Sequence, residues 1–264
     1  MRGNPRRTTR KRATDLNLKL SWPRVILGSL LFILTLVLLV QFWFLCKVFW
    51  YSMHPPASTP IMRATMAQLR QERPDATLRY QWVPYERIST SLKRAVVAAE
   101  DAKFMQHNGV DWRAVRDAWA HNRELAARRA EAEKAGKRPP RGVMRGASTI
   151  TQQLAKNLFL SNDRTYFRKG QELVIAWMIE HVMTKQRILE LYLNVAQWGN
   201  GVFGAEAAAR HYFRASANQL GAGQAAQLAA MLPNPAFYDT HGPTSYLNSR
   251  TQTLAARARH AVIP

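Results

Sequence analysis

The sequence predicts a mostly α-helical protein in which one N-terminal membrane-spanning helix precedes a helical domain. Three observations predict this class: a long uncharged run near the N-terminus, a 3.6-residue apolar period from Leu92 onward, and capping residues at the expected helix starts. The chain has 264 residues, which is enough for one or two domains with a sizeable core. Its single cysteine, Cys46, excludes an intramolecular disulfide.

The charge balance indicates an anionic partner. The chain carries 38 Lys and Arg against 17 Asp and Glu, a net charge of +21. Nucleic acid, anionic lipid and a phosphate-bearing substrate would all satisfy this excess. The first 45 residues hold eight basic residues and one acidic residue, so the rest of the chain is strongly basic as well.

Residues 1–24 form a basic tail, and residues 25–45 contain no charged side chain. A helix of this length covers about 32 Å at ~1.5 Å per residue, enough to cross the apolar core of a bilayer. A buried helix of a soluble protein fits less well, because charges bound the run at Arg24 and Lys47. A cleaved signal peptide has an apolar part of only about 7–15 residues. Residues 25–45 are therefore predicted to be a transmembrane helix.

The flanking charges predict the orientation of this helix. Eight basic residues precede it, whereas only Lys47 and Arg63 fall in the twenty positions after it. The positive-inside rule then places the N-terminus in the cytoplasm and the remaining residues on the other side, which argues against nucleic acid as a partner. Residues 46–75, which include a Pro-rich segment, are expected to be a linker and membrane-proximal segment. Residues 76–264 are expected to form the domain.

The domain is expected to begin with a short strand and two helices. Residues 77–83 alternate apolar and polar side chains, as a strand does. A helical period runs from Leu92 to Lys103, and Gly109 is placed to end that helix. Asp111 then caps a second helix. This helix is expected to end before the basic stretch 126–145, which is predicted to be a mobile loop or a contact with lipid headgroups.

A polar helix face is predicted next. Thr149 and Gln152 have the spacing of a capping box, so a helix is expected to start there. One face of it carries amides, a hydroxyl and an ammonium but no acid, which suits an anionic or sugar ligand. The residues of this face are Thr149, Gln152, Gln153 and Lys156.

The remaining elements are helices around one glycine-dense turn. Arg168 and Glu172 are an i, i+4 pair at the start of an apolar helix, and a surface pair of this kind contributes about 0.3–0.5 kcal/mol. An amphipathic helix is predicted over 185–194, a turn over 197–204, and Ala-rich packing helices over 205–212 and 223–231. The turn lacks the strand and helix that flank a nucleotide-binding loop.

The stretch from Glu100 to Asp111 concentrates candidate catalytic groups. Two adjacent carboxylates, Glu100 and Asp101, precede Phe104 and His107. Judged by residue type alone, Glu100 and Asp101 could equally be surface acids and His107 a cation at a helix end, or the three could form a catalytic site. Cys pairs and His-x-x-x-His spacings are missing from the sequence, which weakens the interpretation as a metal site. A serine hydrolase is equally weakly indicated, since there is no Gly-x-Ser-x-Gly.

Four motifs together resemble the peptidoglycan glycosyltransferases. They are Glu-Asp-x-x-Phe-x-x-His-x-Gly-x-Asp at 100–111, Gly-Ala-Ser-Thr-Ile-Thr-Gln-Gln-x-x-Lys-Asn at 146–157, Arg-Lys-x-x-Glu at 168–172, and Lys-x-x-Ile-Leu-Glu-x-Tyr-Leu-Asn at 185–194. Their order and spacing are similar over roughly residues 80–238. Class A penicillin-binding proteins add a transpeptidase, whereas only about thirty residues follow Pro235 here and no Ser-x-x-Lys occurs. The chain is therefore similar to the monofunctional biosynthetic transglycosylases.

This resemblance implies a lysozyme-like α-helical glycosyltransferase domain. It implies polymerisation of lipid II into β-1,4-linked glycan strands, with inversion and release of undecaprenyl diphosphate, and no transpeptidase activity. The implied location is the bacterial inner (cytoplasmic) membrane, with a single pass, a cytoplasmic N-terminus and a periplasmic domain. Lipid II, the growing strand and the bilayer are the implied partners, and other cell-wall synthesis proteins are further candidates; nucleic acid is not.

The resemblance also implies roles for individual residues. Glu100 matches the general base, and Glu172 matches a second carboxylate that assists the leaving diphosphate or holds a divalent ion. The motifs require no cofactor, and Mg²⁺ or Mn²⁺ at Glu172 is left open. Glu190 and Asn194 are expected to hold helices together. The positions expected to bind substrate are Asp101, Phe104, His107, Ser148, Thr149, Gln152, Gln153, Lys156, Asn157, Arg168 and Lys169.

Two other functions fit parts of the sequence. A lysozyme-like hydrolase or lytic transglycosylase also uses one catalytic Glu in a helical domain. Its glycan substrate, however, has no diphosphate for Lys156, Arg168 and Lys169 to bind. A non-enzymatic, membrane-anchored cell-wall adaptor would use the basic charge only to bind anionic lipid.

Overall fold

The computed structural model describes residues 22–140, 142–161, 163 and 165–264. Most of the expected basic tail, residues 1–21, lies outside this described part. The chain divides into two compact units, residues 1–43 and 44–264.

Helix α1 extends from Trp22 to Met53 and contains the run predicted to span a membrane. Its most apolar 18-residue window has a mean hydropathy of 2.7, and none of that window is buried. Among the described residues it is the one helix long and apolar enough to cross a membrane. The helix continues eight residues beyond the predicted end at Leu45, and Phe44 and Val48 in its last part are buried.

The second unit is mostly α-helical, as predicted. Its helices are α2 (Pro60–Glu72), α3 (Thr90–Glu100), α4 (Trp112–Lys134), α5 (Ile150–Phe159), α6 (Tyr166–Val182), α7 (Lys185–Val195), α8 (Ala205–Phe213), α9 (Ala222–Met231), α10 (Pro235–His241) and α11 (Ser245–Ala258). Short 3₁₀ helices cover Tyr85–Arg87, Phe104–Gln106 and Ala217–Gln219.

A small three-stranded sheet accompanies these helices. Its strands are β1 (Arg79–Tyr80), β2 (Gln197–Gly199) and β3 (Val202–Phe203), in the order β1-β3-β2. The predicted strand over 77–83 is thus confirmed for two residues, which pair in parallel with β3. The glycine-dense turn predicted over 197–204 is the antiparallel hairpin formed by β2 and β3.

Hydroxyl and carboxylate caps start most of the helices. The side chain of each capping residue accepts a hydrogen bond from a backbone N–H in the first turn, which would otherwise have no partner in the helix. The Ser and Thr caps are Thr59, Ser89, Thr149, Thr165, Thr184 and Thr244. Asp111 caps α4, as the sequence predicted.

The segment expected to be a linker is largely helical. Residues 46–53 continue α1, and α2 follows after a short Pro-containing connection. Ile61, Met62 and Leu69 of α2 are buried in the same apolar core as α3, α5 and α7. The compact unit that begins at Phe44 therefore includes this segment, and the burial of these side chains stabilises it.

Two predicted helix ends are wrong. Helix α3 ends at Glu100, not at Gly109, because Asp101 leaves helical geometry with φ −161° and ψ 72°. Gly109 instead occupies a turn with φ +90°, where an added Cβ would lie 3.3 Å from the carbonyl oxygen of Ala176. Helix α4 continues to Lys134, nine residues into the stretch that was predicted to be a loop.

The loop after α4 is held to that helix at two points. Asn122 bonds the backbone of Arg145 in both directions, donating to its carbonyl at 2.9 Å and accepting from its N–H at 2.8 Å. The guanidinium of Arg129 donates to the carbonyl of Gly142 at 2.7 Å. The basic segment thus runs back along α4 and places residues 145–149 beside the end of α3.

Helix α7 lies in the middle of the core. Asn194 is fully buried; its side chain accepts from the N–H of Val83 and donates to the carbonyl of the same residue, each at 2.9 Å. Glu190 accepts from the N–H of Tyr85 at 3.0 Å. The predicted role of both side chains in holding segments together is confirmed, and the two join α7 to the chain that leads into α3.

Candidate active site

Glu100 is the last residue of α3, and its carboxylate is held by a chain of hydrogen bonds from two other helices. The Gln153 amide of α5 donates to Glu100 Oε2 at 2.8 Å. The hydroxyl of Tyr192, buried on α7, in turn donates to Gln153 Oε1 at 2.9 Å. This chain of two hydrogen bonds fixes the amide, so that its NH₂ group faces the carboxylate.

Burial raises the pKa of Glu100 above its ordinary value. The hydrogen bond from Gln153 and the positive charge of Arg250 oppose that effect, whereas the charge of Asp101 adds to it. A carboxylate whose pKa is raised by burial is a stronger proton acceptor, once ionised, than a carboxylate in water, and the amide of Gln153 favours its ionised form.

Asp101 fixes the N-terminus of α5 against α3. Its carboxylate accepts from His107 Nε2 at 2.9 and 3.0 Å and from the N–H of Ile150 at 3.0 Å. A negative charge at the first turn of a helix is favourable. The Lys185 ammonium donates to the carbonyl of His107 at 2.7 Å and lies 4.5 Å from the centre of the buried Phe104 ring. Asp101, Phe104 and His107 are therefore committed to internal contacts in this structure.

Thr149 and Gln152 form the predicted capping box. The Gln152 side chain accepts from the N–H of Thr149 at 2.9 Å, and the Thr149 hydroxyl accepts from the N–H of Gln152 at 3.2 Å. The same hydroxyl donates to the carbonyl of Gly109 at 2.5 Å. Both side chains are buried, so the residues of the polar face predicted for α5 fall into two groups with different contacts. Thr149 and Gln152 bond to the start of the helix, while Gln153 and Lys156 line the two cavities described below.

Glu172 is the centre of a cation cluster at the start of α6. Arg168 Nη1 donates to Glu172 Oε2 at 2.7 Å, and the Lys169 ammonium donates to Glu172 Oε1. The side chains of Arg168 and Glu172 are only 17% and 4% exposed, so the small contribution of a surface pair does not apply to them. Lys169 also donates to the Ser148 hydroxyl at 3.1 Å.

Lys156 of α5 belongs to the same electrostatic environment. Burial lowers the pKa of its ammonium, as do the charges of Arg168 and Lys169, whereas Glu172 opposes them. Two cations thus contact the carboxylate of Glu172, and a third, Lys156, is close enough for its charge to interact with all three groups. This surplus of positive charge in a partly dehydrated place is suited to a diphosphate.

Two cavities meet at Gln153. One of about 510 Å³ is lined by Glu100, Arg145, Ser148, Gln153, Tyr246 and Arg250, among others. The other, of about 320 Å³, includes Gln153, Lys156, Asn157 and Tyr192. Glu100 thus lines the first of these cavities, and Lys156 lines the second. Glu100 also lines a smaller cavity of about 250 Å³ on the side of Asp101 and Thr149.

The donor set does not favour a metal ion held by the protein. Both oxygens of Glu172 accept from cationic side chains. Among the described residues, no group of three or more His, Cys, Asp and Glu side chains is placed to hold an ion. The Mg²⁺ or Mn²⁺ site left open at Glu172 thus finds no support in the local geometry.

Some residues of the larger cavity lie outside the four motifs. Arg250 and Tyr246 come from α11, and Tyr238 comes from α10. The sequence offers no local signal for them, because tertiary packing alone brings them to this cavity; α11, for example, packs against α3 and α9.

Comparison with known proteins identifies the family. A family model described as Transglycosylase matches residues 65–259. The chain belongs to the transglycosylase family. The match includes all four motifs and extends beyond the range 80–238 over which the resemblance was expected. The mostly α, lysozyme-like fold expected from the motifs is the fold of this domain.

Transglycosylases from several bacteria are similar to most of the chain. The biosynthetic peptidoglycan transglycosylase of Bordetella pertussis is 59% identical over 93% of this chain and 97% of its own length. The proteins of the same name from Methylobacillus flagellatus and Laribacter hongkongensis are 52% and 48% identical, over 89% and 88% of this chain and 96% and 95% of their own lengths.

Proposed function

We propose that this protein is a peptidoglycan glycosyltransferase that polymerises lipid II into β-1,4-linked glycan strands. Membership of the transglycosylase family and the names of its relatives support the reaction class. At the level of individual residues, the proposal rests on the arrangement of one carboxylate and a group of cations. A partly buried carboxylate, Glu100, lies one side chain away from a cation cluster.

The proposed reaction has one bond-forming and one bond-breaking step. Glu100 accepts the proton of the 4-hydroxyl of the N-acetylglucosamine at the acceptor end, and that oxygen attacks the anomeric carbon of the donor. The bond between this carbon and the diphosphate oxygen breaks, so an α-linked donor gives a β-1,4 link. Undecaprenyl diphosphate leaves with the bonding electron pair.

The leaving diphosphate requires stabilisation of its developing negative charge. Lys156, Arg168 and Lys169 are the proposed ligands, with Arg168 able to contact two phosphate oxygens at once. Glu172 holds Arg168 and Lys169 in place through two ion pairs. We assign Glu172 the role of fixing these cations, because neither of its oxygens is free to accept a proton from substrate.

The other predicted site residues divide by their contacts. Ser148, Gln153 and Asn157 line the two cavities and are proposed to contact substrate. Asp101, Phe104, His107, Thr149 and Gln152 are buried or bonded internally and are proposed to position the site.

Membrane anchoring is the proposed role of α1. The length and composition of this helix support a single pass. The basic residues that precede it support a cytoplasmic N-terminus and a periplasmic domain in the inner membrane. Such an anchor keeps the enzyme in the bilayer that holds its lipid substrate.

The cation cluster favours synthesis over glycan cleavage, since a cleaved glycan carries no diphosphate. Incubating the full-length protein with lipid II and, separately, with intact sacculi tests this. Chain growth from lipid II supports the proposal, and release of muropeptides without chain growth would contradict it. Glu100→Gln should abolish polymerisation, while the exposed carboxylate variant Glu131→Gln should leave it unchanged. Repeating the assay with chelator, Mg²⁺ and Mn²⁺ tests the metal requirement.

A further inference from the structure

Arg250 enters the Glu100 cavity from the C-terminal helix. Leu247 and Leu254 of α11 are buried in the core. Arg250 comes three residues after the first and four before the second, so it lies on the same helix face. Its Nε is inaccessible to solvent and has no hydrogen-bond partner among the described residues. The packing of α11 against α3 and α9 thus forces a guanidinium into the wall of the cavity.

Arg145 lines the same cavity from the loop that precedes α5. Its backbone N–H and carbonyl both bond to the Asn122 side chain, so the position of this residue is fixed by α4. Its side chain is exposed to solvent. Two guanidiniums from unrelated parts of the chain therefore line the cavity that holds Glu100.

The charges of the cavity wall do not balance. Glu100 is the one carboxylate among the lining residues, against Arg145 and Arg250. Neither arginine forms an ion pair with any residue that the structure describes. An arginine stays charged at any physiological pH. The charge of Arg250 acts on Glu100, but holding this guanidinium partly buried without a directly bonded anion still costs free energy. An anionic ligand would remove that cost.

The proposed reaction brings two diphosphates to the site, since both the donor and the acceptor lipid II carry one. Their mutual repulsion is reduced when each has its own cations. The cluster formed by Lys156, Arg168 and Lys169 serves the leaving diphosphate. The acceptor hydroxyl must reach Glu100, and the cavity open to Glu100 carries the second set of cations. Its volume of about 510 Å³ lies in the range of ligand pockets.

We propose that Arg250, assisted by Arg145, binds the diphosphate of the acceptor lipid II. This inference rests on the proposed function and adds a second anion site to it. The guanidinium of Arg250 supplies paired donors to phosphate oxygens. Arg250 acts on binding of the acceptor, not on departure of the donor diphosphate.

A single-transfer assay separates the two substrates. The donor is a lipid-linked glycan whose terminal 4-hydroxyl is blocked, so it cannot accept. The acceptor is lipid II in which a CH₂ group replaces the anomeric oxygen, so it cannot donate. The full-length protein is assayed in neutral detergent without anionic lipid, and the KM of each substrate is measured with the other saturating.

Arg250→Gln should raise the acceptor KM about tenfold, equivalent to 1.4 kcal/mol of binding free energy. The donor KM should change less than about twofold. Arg250→Lys should recover part of the loss. Arg145→Gln should shift the acceptor KM in the same direction by a smaller factor, and Lys156→Gln should show the reverse selectivity. Arg257→Gln, an exposed arginine on the same helix, is the matched control and should change neither KM.

Three results would overturn the proposal. The first is an acceptor KM that is unchanged in both Arg250→Gln and Arg145→Gln. The second is an equal rise of the donor KM and the acceptor KM in Arg250→Gln. The third is an effect of Arg250→Gln that is seen only when anionic lipid is added, which would make a lipid headgroup the ligand. Binding of the acceptor analogue to the same variants, measured without donor, shows whether the effect survives without turnover. If the wild type transfers nothing in this assay or with lipid II itself, the proposed function fails as well.

Discussion

The hydrogen bond from Gln153 to Glu100 gives the most direct test of the proposed base. Gln153→Met keeps the length of the side chain but removes the amide that donates to Glu100 Oε2 at 2.8 Å. This bond favours the ionised carboxylate, whereas burial favours the protonated form and already raises the pKa of Glu100. Without the amide, the pKa should rise further. The acid limb of the pH profile of kcat/KM should therefore move to higher pH.

The size of the effect follows from the strength of the bond. A hydrogen bond to a charged group contributes about 1.5–3 kcal/mol, and each 1.4 kcal/mol is a factor of ten in an equilibrium constant. On the acid limb, Gln153→Met should thus retain about one-tenth to one-hundredth of the wild-type kcat/KM. Well above that limb Glu100 is ionised in both proteins, and any difference there reports other contacts of Gln153.

The assay is the initial rate of lipid II polymerisation across the pH range of the acid limb. Tyr192→Phe is the matched control, because it removes the hydroxyl that orients Gln153 and leaves the amide in place. Its acid limb should move less than that of Gln153→Met. An acid limb that stays in place or moves to lower pH in Gln153→Met would refute the assignment of Glu100 as the base held ionised by Gln153.

Three further variants test the site and its frame. Burial raises the pKa of Glu100, so the stability contributed by this group is lost as pH rises through that pKa. Glu100→Gln should therefore raise Tm relative to the wild type at neutral pH and not at acid pH. The same difference in Tm between variant and wild type at both pH values would contradict this. Glu172→Gln should lower the free energy of unfolding in urea by about 1–3 kcal/mol, less than for a fully buried pair because Arg168 and Lys169 keep some contact with water. Asn194→Leu should cost about 2–4 kcal/mol in the same measurement, since it leaves buried backbone groups unpaired; a denaturation midpoint equal to that of the wild type would contradict that reasoning.

Local patterns predicted helix starts better than helix ends. The capping box at Thr149 was predictable because its hydrogen bonds join residues only three apart. The end of α3 was not, because the carboxylate of Asp101 is held by the N–H of Ile150, 49 residues away. An apolar period cannot reveal such a contact. It continued through Lys103 although the helix stops at Glu100.

The candidate site shows the same division. Glu100 and Glu172 lie in motifs and could be nominated from the sequence. The environments of these two carboxylates could not be predicted. The spacing of Arg168 and Glu172 also fits an exposed i, i+4 pair, whereas in the structure α5 packs against α6 and the pair is largely buried. Arg250 has no motif around it and reaches Glu100 only because α11 packs on α3 across 150 residues of sequence.

The different surroundings of the two carboxylates decide their proposed roles. Glu172 accepts from Arg168 and Lys169 at both oxygens, so a proton placed there would break two ion pairs. Glu100 has one amide partner, is open to a cavity and has its pKa raised by burial. A base must be able to take a proton at little cost, and Glu100 alone of the two meets that condition. Inversion requires one base and one stabilised leaving group. In the proposed mechanism Glu100 serves the first and the cations around Glu172 serve the second, and Gln153 lines the cavities on both sides.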